Sequence, residues 1–297
     1  MQADSLVAEI KKTGAKRVMI QVPAGLKIKL AEIIASLKEN GIVALASVSP
    51  SYGACDLADE EAKQHRCELL VHIGHSKFYR DFTTAVPILY FPWTVELKLG
   101  NIDFSSIDEG RIGLLSTIQH VDALPELKAM LEKEGKEAVI GGQILGCWLA
   151  NADKISDGVD AFLYLGSGKF HPLGLKNKKT YILNVEKMSI ENADRTEIEK
   201  RRYANIYNAK DAKTFAILTT TKKGQFELLA KAEEIRKRLE ENDRNAFILI
   251  MHEINDDALA GVRADAFVNT ACPRIVEDHF SKPILNPDDL REVLGQI

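Results

Sequence analysis

One arrangement of apolar runs recurs three times along the chain, and a single small domain cannot hold it. β-like runs at Val18-Met-Ile-Gln-Val22, Ile112-Gly-Leu-Leu-Ser116 and Phe215-Ala-Ile-Leu-Thr219 each lead through a turn into a segment of helical period. Leu26, Leu30, Ile33, Ile34 and Leu37 share one helical face in the first copy. Leu124, Leu127 and Leu131 do so in the second, and Leu228, Ala232, Ile235 and Leu239 in the third. The helices run out at Gly41, Gly135 and Asp243, residues suited to a left-handed helix end. Three further β-like runs follow in each copy, and the spacing is kept: Gly135 lies 94 positions after Gly41, and Gly166 lies 92 after Gly74. Strands alternating with helices imply parallel pairing through right-handed crossovers. The expected fold is therefore α/β, with three homologous domains at roughly 1–107, 108–212 and 213–297. Each is a small four-stranded parallel sheet flanked by helices, arranged with pseudo-threefold symmetry around a central site.

The chain of 297 residues is 45% hydrophobic and 28% charged, the balance of a globular protein with a sizeable core. A net charge of −4 argues against a basic nucleic-acid interface. No run approaches the roughly 20 apolar residues of a membrane span. The opening Met-Gln-Ala-Asp-Ser lacks the basic-then-apolar pattern of a signal peptide, so a cytoplasmic protein with reduced thiols is expected.

Four cysteines are present, and the repeats sort them. Cys55 follows the second strand of copy one in Ser51-Tyr-Gly-Ala-Cys-Asp56, and Cys147 takes the equivalent place, 92 residues later, in Gly141-Gly-Gln-Ile-Leu-Gly-Cys-Trp148. Cys272 follows the third strand of copy three in Val268-Asn-Thr-Ala-Cys-Pro-Arg274. Open α/β sheets build their sites at the carboxyl ends of strands, where all three lie. A lone cysteine is more readily a small buried apolar residue than a ligand; one per repeat, in strand-end loops, reads as a joint ligand set. Cys67 sits in a helical stretch ahead of a strand and reads as structural. Structural zinc sites favour ligand pairs two to four residues apart, which this chain lacks. A cubane iron–sulfur cluster takes one thiolate per iron, so three cysteines leave one iron open for substrate chemistry.

Together these motifs resemble the archaeal diphthamide synthases of the first biosynthetic step, a noncanonical radical S-adenosylmethionine family, and the resemblance runs the length of the chain. It implies an enzyme, a 3-amino-3-carboxypropyl transferase, whose [4Fe-4S] cluster is held by Cys55, Cys147 and Cys272 and binds S-adenosylmethionine. It implies cleavage between sulfur and the γ-carbon, and addition of the resulting radical to imidazole C2 of a histidine of elongation factor 2. It further implies a homodimer and an external electron donor. No catalytic residue beyond the cluster is expected. For the cofactor, Leu165-Gly-Ser-Gly-Lys-Phe-His-Pro-Leu-Gly174 offers close backbone approach at Gly166 and Gly168 and polar groups at Ser167 and His171. Gln225 opens the first helix of the third copy, where backbone N–H groups meet a carboxylate. Gln143 and Tyr52 precede ligand cysteines as supporting groups, and His72, His75, His120 and His252 border strand ends. Two other readings share the scaffold: a cluster-dependent dehydratase of the quinolinate synthase type, and a non-catalytic electron-transfer subunit.

Overall fold

The computed structural model describes residues 2–77, 79, 81–225 and 228–295. It contains three parallel sheets, one for each sequence copy. The first is built from β1 (Arg17–Gln21), β2 (Val43–Ser47), β3 (Leu69–Ile73) and β4 (Ile88–Phe91), in the order β2-β1-β3-β4. Its helices are α1 (Gln2–Thr13), α2 (Leu30–Glu39) and α3 (Asp59–Gln64). The second contains β5 (Arg111–Ser116), β6 (Glu137–Gln143), β7 (Ala161–Gly166), β8 (Lys179–Asn184) and β9 (Ser189–Asn192), in the order β6-β5-β7-β8-β9, with α4 (Leu124–Lys133) and α5 (Ala150–Ser156). The third follows α6 (Thr196–Ala209) and holds β10 (Thr214–Thr220), β11 (Asn245–Met251), β12 (Ala266–Asn269) and β13 (Ile284–Leu285), in the order β11-β10-β12-β13, with α7 (Leu228–Glu240) and α8 (Leu290–Val293). Second strand, first, third, fourth: the order is the same in all three. The pairings around each first strand are parallel.

Side-chain alternation explains the layering. In β1, Val18 and Ile20 face the helices with Leu6, Ile10, Ile33 and Leu37, while Met19 turns the other way to meet Leu70, Ala62 and Cys67. Ile112 and Leu114 pack on Leu124, Leu127 and Leu131 of α4. Phe215 and Ile217 pack on Ala232, Ile235 and Leu239 of α7, joined by Ile206 and Ala209 of α6. The predicted helix ends hold: Gly41, Gly135 and Asp243 have φ of 73°, 78° and 56°.

Two features go beyond the expected four-strand plan. β9 widens the second sheet; its Ser-Ile-Glu-Asn sequence carries one apolar residue and no strand signal, so backbone pairing at a sheet edge forms it. Helix α6 packs on the third sheet, tied to the segment around α8 by Arg202, whose guanidinium bonds Asp289 at 2.7 Å. The chain divides into two compact units. One comprises Met1–Ile144, Ala150–Gly168 and Lys178–Glu191; the other comprises Leu145–Leu149, Lys169–Asn177 and Asn192–Ile297.

Close packing leaves some glycines no room for a side chain. A Cβ on Gly113 in β5 would lie 2.7 Å from Phe162 Cδ1, whereas one on Gly110 meets nothing within 4 Å. Gly113→Ala is expected to lower stability by about 1–3 kcal/mol, read as a reduced urea midpoint, while Gly110→Ala leaves the midpoint within error or raises it.

Candidate functional site

In the first unit the thiol of Cys55 lies in a turn past β2, and the end of β1 holds that turn in place. Gln21, the last residue of β1, is buried at 2% exposure. Its Nε2 donates to the carbonyl of Asp56 at 3.0 Å, and its Oε1 accepts from the backbone N–H of Ala58 at 3.2 Å. One amide thus clamps the residues that follow Cys55. The same Oε1 lies 2.9 Å from His72 Nδ1, and His72 Nε2 lies 2.9 Å from His75 Nδ1. Burial, reinforced by the neighbouring His75, pulls the His72 pKa down to about 3, and burial pulls that of His75 to about 4. Tyr90 stands edge-on to His72 with ring centroids 5.7 Å apart. Its phenol is pushed up to about 12 by burial, then by Asp59, Asp81 and Cys55. Gly74 makes the turn after β3 possible: its φ is 91°, and a Cβ there would meet Pro23 Cγ at 2.9 Å.

The second sheet meets this rim within the same unit. Ser76 Oγ donates to Gln143 Oε1 at 2.9 Å, and Gln119 donates to the carbonyl of Gly74. A bulge at the end of β6, where the register slips between Leu114 and Leu115 and Gly142 takes φ 96°, redirects the strand that leads toward Cys147.

In the second unit, Cys147 is exposed at the tip of a turn closed by mutual backbone bonds between Leu145 and Trp148, at 2.9 and 3.1 Å. The glycine-rich segment predicted for the cofactor backs this turn. The Gly146 N–H donates to His171 Nδ1 at 3.0 Å, and a Cβ on Gly174 would lie 2.9 Å from the Gly146 carbonyl oxygen. Phe170 packs on Gly146 and lies under the guanidinium of Arg274, 4.9 Å from its ring centroid. Arg274 is buried and paired with Glu277; burial draws its pKa down and that of Glu277 up. Two residues before it, the Cys272 carbonyl accepts from Asn269 Nδ2 at 2.9 Å, and Asn269 Oδ1 accepts from the Ala271 N–H at 3.0 Å. Asn286 adds a bond to Asn269 at 3.1 Å and another to the Pro273 carbonyl at 3.1 Å. A side-chain chain thus runs from the Cys147 turn through Phe170 and Arg274 to the Cys272 segment.

The remaining sequence candidates are distributed as follows. Gly166 ends β7 fully buried, while Ser167 and Gly168 are exposed, Gly168 with φ 73°. Gln225 lies in the short turn Lys223–Gln225 that precedes α7, its N–H bonded to the Lys222 carbonyl at 2.9 Å. Tyr52 is 71% exposed, His120 is half-buried, and His252 meets Thr221 Oγ1 at 2.9 Å. None of the four cysteines is in a disulfide, and Cys67 is 5% exposed in the apolar layer with Met19 and Leu70. Among the described residues no three His, Cys, Asp or Glu side chains are grouped as ligands of one metal ion. A cubane spreads its thiolates over several irons and asks for no such cluster of side chains. Three accessible thiols in polar-braced loops match the donor chemistry of such a group; buried Cys67 does not. Sequence reasoning passed over Gln21 and Asn269, although each is a polar residue in an otherwise apolar strand run and was detectable on that ground.

The fold and site define an α/β protein with three parallel sheets and cysteine-bearing loops at strand ends. The family model of diphthamide synthesis proteins matches residues 22–297. The 2-(3-amino-3-carboxypropyl)histidine synthase of Pyrococcus horikoshii is 36% identical, over 98% of this chain and 89% of its own. The synthase of the same name from Methanocaldococcus jannaschii is 28% identical over 98% and 88%. The crystal structure of Dph2 from Pyrococcus horikoshii with a 4Fe-4S cluster superposes with a TM-score of 0.86 at 33% identity, covering 99% of this chain and 90% of that one. The chain belongs to the diphthamide synthesis protein family, a family of transferases, as its motifs led one to expect.

The buried imidazole of His72 and the half-buried one of His75 set an acid limit on stability. In the unfolded chain histidine takes up its proton near pH 6.5, whereas the folded state resists protonation to about 4 at His75 and about 3 at His72. Between these values the unfolded state binds more protons, so stability falls as pH falls. The urea midpoint of the wild-type chain is expected to decline from pH 7 to pH 4.5, and His75→Gln to decline less steeply.

Proposed function

We propose that the chain transfers the 3-amino-3-carboxypropyl group of S-adenosylmethionine to imidazole C2 of a histidine in elongation factor 2, with Cys55, Cys147 and Cys272 as the protein ligands of one [4Fe-4S] cluster. The observation that carries the reading is the sorting of the thiols: three stand on strand-end loops, one from each sheet, and the fourth is sealed in the core. When bound, such a cluster supplies a low-potential electron at short range and an iron without a protein ligand. The chain's own task is positioning. Gln21 fixes the backbone after Cys55, and the Asn269–Asn286 pair fixes that around Cys272. His171 and Phe170 brace the Cys147 turn, one by a hydrogen bond to the Gly146 N–H and the other by packing on Gly146.

For S-adenosylmethionine, the exposed backbone at Ser167 and Gly168 offers close approach, with Gly166 buried behind it at the end of β7 and the His171 segment following. Gln225 is the candidate for the carboxylate of the same molecule, in a turn where its own N–H is bonded to the Lys222 carbonyl at 2.9 Å; Lys222 is 8% exposed and pairs with Glu253 at 2.8 Å. The reaction breaks the bond between sulfur and the γ-carbon, joins that carbon to imidazole C2 in place of its hydrogen, and releases methylthioadenosine and a proton, the ring giving back the electron supplied for the cleavage as it rearomatises. A homodimer served by an external electron donor completes the proposal.

The test is incubation of the anaerobically reconstituted chain with dithionite, elongation factor 2 and S-adenosylmethionine labelled in its aminocarboxypropyl part. The label is expected on one histidine of the factor by mass mapping, with methylthioadenosine formed in step. Production of 5′-deoxyadenosine, or an unlabelled factor, overturns the reading.

A further inference from the structure

The first unit contains a hydrogen-bond relay whose direction is set by backbone groups that have no choice. The Asp56 carbonyl can only accept and the Ala58 N–H can only donate, so the Gln21 amide has one possible orientation, nitrogen toward Asp56 and oxygen toward Ala58. The oxygen facing His72 Nδ1 at 2.9 Å is therefore an acceptor, and His72 must carry its proton on Nδ1. In the neutral ring Nε2 is then a lone pair, so the 2.9 Å contact to His75 makes His75 Nδ1 the donor. The relay ends at His75 Nε2, a lone pair with no hydrogen-bond partner among the described residues, on a half-buried side chain. An isolated imidazole is free to swap tautomers and here it is not. Two backbone groups beside Cys55 and the three side chains they orient in turn hold one acceptor on the strand-end rim.

We infer that His75 Nε2 is a substrate-contacting acceptor: it receives an N–H donor of the reacting pair, with Gln21 and His72 as positioning residues that lock its tautomer. The inference rests on the function proposed above, in which the N–H donors are the α-ammonium of S-adenosylmethionine and the ring N–H of the target imidazole. A neutral acceptor suits both. An imidazolium would repel the ammonium and could not accept from the ring. The Gly74 turn, pinned by Gln119 and Pro23, and the Ser76–Gln143 bond on the other side leave His75 little freedom to turn away.

The first test needs no variant. Two-bond nitrogen–proton NMR of the histidine rings, on the full chain with its cluster oxidised, should show both His72 and His75 as the neutral Nδ1–H tautomer at pH 7.5 and still unprotonated at pH 5.5. An Nε2–H tautomer at His75, or protonation of it near pH 6.5, overturns the inference. The second test compares wild type with His75→Phe and His75→Gln. Loss of the acceptor should weaken binding about tenfold or more, and the glutamine, which keeps an acceptor oxygen, should recover part of it. A raised Kd for S-adenosylmethionine in equilibrium dialysis assigns the ammonium as donor; a raised KM for the factor with that Kd unchanged assigns the target imidazole. Either supports the inference, and His75→Phe matching wild type in both overturns it. A strong nitrogen coupling from His75 to the reduced cluster would make it a ligand instead and equally overturn it. Wild-type inactivity would mark failure of the proposed function, whereas failure of this inference appears in the histidine spectra or in the variants while the wild-type chain remains active.

Discussion

Parallel pairing of a central strand with neighbours on both sides is the constraint on which the rest depends. β1, β5 and β10 each sit between two strands running the same way, so each sheet sends its chain out at one edge. That edge is where helices and turns must be rejoined and where polar residues can stand without breaking the core. Cys55, Cys147 and Cys272 are all met just after a strand ends. Cys67, before β3, falls inside the apolar layer and packs as a small hydrophobe. Position relative to strand direction separates ligand candidates from filler.

The polar residues at these strand ends are more than trim. Gln21 and Asn269 occupy equivalent strand-end roles in different sheets, and each satisfies backbone groups in a cysteine loop while being almost fully buried. A buried amide with an unmet partner would cost about 1–3 kcal/mol. Each of these has both ends of its amide engaged, which ties the loop's conformation to the sheet. The Cys147 turn is held differently, by its own backbone pairing and by the backing of Phe170 and His171.

The sheets were legible in the sequence because burial on both faces demands apolar runs, and because Gly41, Gly135 and Asp243 mark the helix ends that left-handed φ requires. The three cysteines were legible because the repeat gave them a common setting. β9 was not, since an edge strand stabilised through its backbone leaves little side-chain signal. Nor was the packing of α6 on the third sheet, which depends on Ile206, Ala209 and the distant Asp289 meeting in space. The relay from Ala58 through Gln21 and His72 to His75 spans contacts 37 and 51 residues apart, and no local pattern announces it. Gln21 stood out only as a polar residue within a buried strand; its partners needed the fold.

Whether three scattered thiols serve one cluster is tested most directly by iron content. The anaerobically reconstituted wild-type chain should bind about four irons and give the EPR signal of a reduced cubane. Cys55→Ala, Cys147→Ala and Cys272→Ala should each lose most of the iron and that signal, while Cys67→Ala keeps both. Full iron and an unchanged signal in any of the first three, or their loss in Cys67→Ala with the fold intact, would contradict the account.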